Sequence, residues 1–343
     1  MTGTESKRFT TKDFRLKSGV VMPEVSIAYR TLGTLSRARD NAVLITHGFT
    51  SGPDMINPGG TTGEGAWSQL VGPGKPVDTN RYFAVCPNML GSSYGSTNGA
   101  SIDPATGKPY GPRFPDITVS DIVATQRLLL NDCGVDKFVA VVGPSYGGYQ
   151  AFQWAVDYPT AMKGIAAVVT GATVPRERSE GRVANFTETL SKNPNWNGGD
   201  YYTTGGVLDT MTDIRIATLK SYGIEARLKQ TMSDPKQIEA VIRKEATHWA
   251  EGFDANSLII LAKALRGFDV TPKYSSIKAK VLYVISRTDK LFPPEIAPGV
   301  MKGLKDAGVD ADYFLLDSEL GHSASGADAQ KWAPRLRQFM ESL

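Results

Sequence analysis

Short apolar runs that do not alternate with polar residues constrain the fold of this chain more than any other feature. Val43-Leu44-Ile45, Tyr82-Phe83-Ala84-Val85, Phe138-Val139-Ala140-Val141-Val142, Ile165-Ala166-Ala167-Val168-Val169 and Val281-Leu282-Tyr283-Val284-Ile285 each end in a polar or glycine-containing turn. Such runs suit strands buried on both faces, as in a parallel sheet. Helix-compatible stretches, including 119–132 and 148–157, lie between them. The alternation predicts an α/β fold with a mostly parallel central sheet, right-handed crossovers and helices on both faces.

Residues 173–266 break that rhythm. The segment is polar, contains Asn193-Pro194-Asn195-Trp196-Asn197-Gly198-Gly199-Asp200-Tyr201-Tyr202, and then reads as helices over 214–221, 235–251 and 255–266. The strand pattern resumes at Lys280, and no Pro/Ser-rich linker flanks the segment. The expected organisation is a core of residues 1–172 and 267–343, with 173–266 inserted as a helical cap over the sheet's carboxyl edge.

Charge narrows the partners. The 343 residues carry 38 basic and 35 acidic side chains, a net +3, and these are dispersed rather than blocked. Neither nucleic acid nor an acidic membrane surface is an expected partner. The start, MTGTESKRFTTKDF, lacks an apolar secretory core, and no apolar run approaches the roughly 20 residues that span a bilayer. Cys86 and Cys133 form no ligand pair and are expected to be buried, inert thiols. With three histidines and scattered carboxylates, neither a metal site nor a cofactor is expected. The expected setting is the cytoplasm.

Gly143-Pro144-Ser145-Tyr146-Gly147 has the form G-x-S-x-G. The pattern is weak alone, and Gly91-Ser92-Ser93-Tyr94-Gly95 matches it too. Context separates them. Ser145 follows an apolar run and precedes a helix-compatible stretch, the strand–turn–helix that lifts a serine oxygen clear of a sheet. Ser93 is followed by Gly95-Ser96-Thr97-Asn98-Gly99, which cannot start a regular helix. Ser145 is the expected nucleophile.

A serine hydroxyl needs a base. His322 lies in a loop just after the apolar run 313–316, which would bring it to the carboxyl edge of the sheet. His47 also follows a strand but suits an oxyanion loop, and His248 sits within a helix of the expected cap. Asp289 follows the run 281–285 and is the expected orienting acid, with Asp317 the runner-up. The order Ser145, Asp289, His322 is that of α/β-hydrolases. In that fold the oxyanion is held by backbone N–H groups, here expected from Tyr146 and Phe49. Gly59-Gly60-Thr61-Thr62-Gly63 has no GK[ST] ending and no strand before it, so a P-loop is rejected.

Several longer stretches are more specific than the serine motif. They include Tyr29-Arg30-Thr31-Leu32-Gly33-Thr34-Leu35, Leu70-Val71-Gly72-Pro73-Gly74-Lys75-Pro76, Asn88-Met89-Leu90-Gly91 and Gly107-Lys108-Pro109-Tyr110-Gly111. Pro194-Asn195-Trp196, Phe253-Asp254-Ala255-Asn256-Ser257 and Asp289-Lys290-Leu291-Phe292-Pro293-Pro294 continue the series. Over nearly its whole length the chain resembles the homoserine O-acetyltransferase family of α/β-hydrolases. The resemblance implies the triad Ser145, Asp289 and His322, a helical cap, a site at the bottom of a tunnel and a homodimer through cap helices. It also implies ping-pong chemistry, in which the serine is acetylated and an acceptor then takes the acetyl group. Family members that are acetyl-ester hydrolases pass it to water instead.

The departures from that family bear on the acceptor. Gly-Gly-Ser-Met-Gly-Gly-Met becomes Gly143-Pro144-Ser145-Tyr146-Gly147-Gly148-Tyr149, and His-Ala-Leu-Thr-Gly becomes His47-Gly48-Phe49-Thr50-Ser51-Gly52. The Asp-Ala-Phe after the base is Ser323-Ala324-Ser325. An ungapped alignment puts Thr187 where transferases carry an arginine for the homoserine carboxylate, while Arg182 lies a small gap away. Tyr149 and Thr187 are therefore the expected substrate-binding residues. Without a bidentate cation an acceptor carboxylate is poorly held. This favours a serine esterase acting on short-chain, acetyl esters, with a homoserine O-acetyltransferase using acetyl-CoA as the alternative.

Overall fold

The computed structural model describes residues 5–58 and 66–343; the Gly59–Gly63 run lies outside them. Eight strands form one sheet: β1 (Lys7–Arg15), β2 (Val21–Leu32), β3 (Ala42–Ile45), β4 (Phe83–Pro87), β5 (Phe138–Pro144), β6 (Met162–Val168), β7 (Lys280–Ser286) and β8 (Ala311–Leu316). Their order is β1-β2-β4-β3-β5-β6-β7-β8. The β1/β2 and β2/β4 pairs are antiparallel, and every later pair is parallel. The expected apolar runs are all strands, with ends shifted by a few residues.

The sheet is buried on both faces because successive side chains point to opposite sides. In β5, Val141 joins one apolar layer, while Ala140 and Val142 join the other. The first layer is completed by α1 (Val119–Asp132) and α2 (Tyr146–Asp157). Helix α1 starts at a capping box in which Thr118 and Asp121 satisfy each other's backbone N–H groups. The second layer takes Trp332 and, from the C-terminal helix Ala333–Glu341, Leu336, Phe339 and Met340.

Between β6 and β7 the chain makes α3 (Arg176–Ser191), α4 (Leu208–Ser221), α5 (Pro235–Gly252) and α6 (Ala255–Lys263). These helices lie over the loops at the carboxyl ends of the strands: Trp249 Nε1 donates to Thr50 O at 2.9 Å, and Tyr146 Oη donates to Leu261 O at 3.2 Å. Val183, Met211, Ile214, Trp249 and Leu261 belong to the same apolar cluster as one sheet face. Among the described buried residues, Ile216, Leu219, Ile224, Ile238, Ile242 and Ala246 pack separately, largely between α4 and α5. Most of the inserted segment thus shares the core of the sheet.

The thiol expectation needs one correction. Cys86 is buried in β4, but Cys133 caps the carboxyl end of α1, where the helix meets the surface, and is half-buried. No helix among the described residues is long and apolar enough to cross a membrane.

Candidate active site

The nucleophile turn is built by close backbone approach. Ser145 joins β5 to α2 with φ 55° and ψ −119°, a conformation costly for a residue with a Cβ. A Cβ on Gly143 or Gly147 would overlap Thr46, so the flanking glycines let the turn pass the end of β3. Thr46 Oγ1 donates to Gly147 O at 2.8 Å. Ser145 N–H donates to Val168 O at 2.8 Å, and Ser145 O accepts from Thr170 Oγ1 at 2.8 Å. The carboxyl end of β6 thereby holds both backbone polar groups of the strained residue.

Three expected site residues meet. His322 Nε2 lies 2.9 Å from Ser145 Oγ, and His322 Nδ1 lies 2.8 Å from Asp289 Oδ2. Asp289 Oδ1 accepts from the N–H groups of Leu291 at 2.8 Å and Phe292 at 3.1 Å, which fixes the carboxylate's orientation. Ser145 is 6% exposed, and Asp289 and His322 are each 1% exposed. With its proton on Nδ1 facing Asp289, the imidazole offers its Nε2 lone pair to the serine hydroxyl. Such an arrangement can remove the hydroxyl proton as the oxygen attacks a carbonyl.

The competing residues lie elsewhere. Asp317 is exposed and pairs with Arg287 at 2.6 Å, which lowers its carboxyl pKa. Ser93 is buried in a loop, where its Oγ accepts from Asp254 N–H at 2.8 Å. His47 Nε2 is bonded to Asn88 Oδ1 at 2.9 Å, and His248 is exposed beside Glu251.

Tyr146 supplies the first N–H of α2, and Phe49 lies in the loop after β3. Among the described residues neither N–H has a protein acceptor, the state required of groups meant to receive an oxyanion. The surroundings are aromatic. The ring of Phe49 stacks on Tyr146 at 5.9 Å and on Phe186 at 6.0 Å, and Tyr149 packs against Phe268 at 4.8 Å and Phe292 at 5.9 Å. His322 lies between the rings of Tyr222, at 4.9 Å, and Phe292, at 5.5 Å. Burial pushes the Tyr146 phenol up; it raises Tyr149 to about 12 against the opposing fields of Arg178 and Arg182. Both phenols are neutral at pH 7.

The two expected substrate-binding residues lie apart. Tyr149 is buried within this aromatic group, but Thr187 is exposed on the outer side of α3, in a groove with Trp196, Asn193 and Lys263. Helical geometry explains the separation: residues 178, 182 and 186 share a face at four-residue spacing, and 187 is turned away from it. On that face the Arg178 guanidinium lies over Phe292 at 5.1 Å, and Arg182 lies over Phe49 at 5.4 Å. Arg178 and Phe186 escaped sequence reading because α3 is too polar to stand out as a helix. Their i, i+4, i+8 spacing with Arg182 was the available signal.

The alpha/beta hydrolase fold family matches residues 41–325. The homoserine O-acetyltransferase of Moorella thermoacetica is 35% identical over 357 aligned residues, covering 96% of this chain and 93% of that protein. Among solved structures, the homoserine O-acetyltransferase from Bacillus anthracis has a TM-score of 0.87 at 27% identity, covering 99% of this chain and 98% of that one. Esterase E22 has the same TM-score, 0.87, at 26% identity, covering 98% of this chain and 100% of that one. By sequence and by fold, the chain belongs to the homoserine O-acetyltransferase family of the α/β hydrolase fold.

Proposed function

We propose that this enzyme forms an acyl-enzyme at Ser145 and transfers an acetyl group to the hydroxyl of a small, carboxylate-bearing acceptor of the homoserine type. The observation that carries this reading is Arg182. Its half-buried guanidinium stacks on Phe49, has no ion pair among the described residues and acts on the buried Tyr146 and Tyr149. A planar cation beside the nucleophile suits bidentate recognition of a carboxylate. The esterase expectation rested on Thr187 standing in for that cation, and Thr187 faces away. The two homoserine O-acetyltransferases named above also favour transfer.

In the proposed reaction Ser145 Oγ attacks the acetyl carbonyl of a thioester or ester as its proton passes to His322 Nε2. Asp289 stabilises the imidazolium, and the N–H groups of Phe49 and Tyr146 receive the oxyanion. Collapse expels the thiolate or alkoxide, which takes the proton from His322. The acceptor hydroxyl then gives its proton to His322 and attacks the acetyl-serine, and the second collapse returns that proton to Ser145.

Hydrolysis is the second reading. It is favoured by Ser323, which stands where transferases have an acidic residue and whose Oγ donates to Leu320 O at 2.8 Å. The likeness to esterase E22 supports it too. Incubation with acetyl-CoA and homoserine separates the two. Transfer yields O-acetylhomoserine by mass spectrometry, with one CoA thiol freed per product; CoA release with acetate as the sole acetyl product would overturn it.

A further inference from the structure

The Tyr146 N–H that receives the oxyanion in the proposed reaction belongs to the same peptide unit as the Ser145 carbonyl. In a trans peptide the two groups lie in one plane and point opposite ways, so whatever fixes the carbonyl fixes the N–H. Ser145 O accepts from Gly148 N–H at 2.9 Å and Tyr149 N–H at 3.3 Å, both of which move with α2. Its 2.8 Å bond from Thr170 Oγ1 ties it instead to the chain just past the end of β6. A donor on the carbonyl also polarises the amide, which makes its N–H a stronger donor.

Thr170 is itself held in place. It is fully buried, and its carbonyl accepts from Tyr283 Oη of β7 at 2.7 Å. The residue before it, Val169, has φ 43°, a left-handed conformation that is an outlier for a β-branched side chain. Val169 N–H donates to Val284 O at 2.7 Å, which keeps this strained turn against β7. Strain of this kind persists only where the surroundings over-determine it, and it collects at functional sites. Gly148 completes the fit. A Cβ there would lie 2.3 Å from Thr170 Cγ2, so a side chain at 148 would drive the threonine off the first turn of α2.

We propose that Thr170 is a positioning residue: its hydroxyl, seated by Val169 and Tyr283, turns the Ser145–Tyr146 peptide so that the Tyr146 N–H faces the developing oxyanion. This rests on Tyr146 being an oxyanion donor, as in the reaction above. Losing such a donor costs about 100- to 1,000-fold in kcat. One that is present but loosely aimed costs less.

The test uses the acylation burst of p-nitrophenyl acetate, which needs no acceptor and so reads the same under transfer or hydrolysis. Thr170→Val is expected to slow acylation by about 10- to 100-fold. It should weaken binding of a trifluoromethyl ketone, whose hemiketal oxyanion takes the same site, by a similar factor. The ester's dissociation constant and the pH midpoint of kcat/KM, which reads the base His322, should stay unchanged. Thr170→Ser keeps the hydroxyl and should restore most of the rate. Should Thr170→Val fail to fold, Thr170→Ala, which adds no bulk, is read in the same way. Unchanged acylation in the hydroxyl-free variant would overturn the proposal, as would a loss that Thr170→Ser fails to repair, that spares the ketone or that shifts the pH midpoint. If Ser145→Ala keeps the burst, the acyl-enzyme reading fails instead.

Discussion

The guanidinium of Arg182 and the ring of Phe49 are stacked at 5.4 Å, and this contact joins α3 of the cap to the loop that follows β3. It brings a cation within reach of Tyr146, the residue after Ser145, without a neutralising partner among the described residues. Arg182→Ala should raise the KM for homoserine by about 10- to 100-fold, the factor matching the 1.5–3 kcal/mol of a charged hydrogen bond. Turnover of p-nitrophenyl acetate should barely change. Thr187→Ala should alter neither rate, because Thr187 faces outward. Steady-state assays of both substrates check this.

Fluorophosphonate labelling tests the nucleophile. Ser145→Ala should abolish the label and lower turnover by several orders of magnitude. Ser93→Ala should retain it, because the Ser93 hydroxyl is engaged with Asp254 N–H and Ser257 Oγ. The reverse pattern would move the active site to the other glycine-flanked serine.

Two carboxylates should respond very differently to amidation. Asp289→Asn keeps the shape of the site but offers an N–H where His322 Nδ1–H needs an acceptor, so kcat should fall by about 10,000-fold. Asp317→Asn removes only a surface partner of Arg287 and should change kcat less than twofold. Single-turnover acylation of both variants reads the difference.

The meeting of Ser145, His322 and Asp289 was legible in the sequence, and the cap side chains around Phe49 were not. Strands β3 to β7 were legible because burial on both faces leaves continuous apolar runs. Ser145, Asp289 and His322 were legible because each follows such a run. The β1/β2 hairpin was not, since its residues alternate between solvent and core. Helix α3 escaped for a related reason: only Ser179, Val183 and Leu190 are buried along its 16 residues. Arg182 could be placed only by allowing a small gap, and Arg178 became visible once the helix axis was fixed. Arg215 carries no motif at all, and its bond to Thr50 spans 165 residues of chain.

Asp254 should give the fold a pH dependence. Its carboxylate accepts from Tyr201 Oη at 2.6 Å and Ser257 N–H at 3.0 Å, yet burial outweighs these bonds and raises its pKa. A raised carboxyl binds its proton more tightly folded than unfolded. Its stabilising contribution is therefore complete below the ordinary value of about 3.9 and is lost as pH rises through the folded value. Asp254→Asn retains an acceptor for Ser257 without that loss. Urea midpoints measured upward from about pH 4 should fall for the native chain relative to the variant.

The most direct test of acetyl transfer is the lifetime of the acyl-enzyme. Ser145 acetylated by p-nitrophenyl acetate, followed by intact mass after rapid removal of excess ester, should lose its acetyl group slowly in buffer. Millimolar homoserine should speed that loss at least tenfold and return the acetyl group as O-acetylhomoserine, with Arg182→Ala erasing the acceleration. An unchanged rate, with all acetyl recovered as acetate, would contradict the account and make the enzyme a hydrolase.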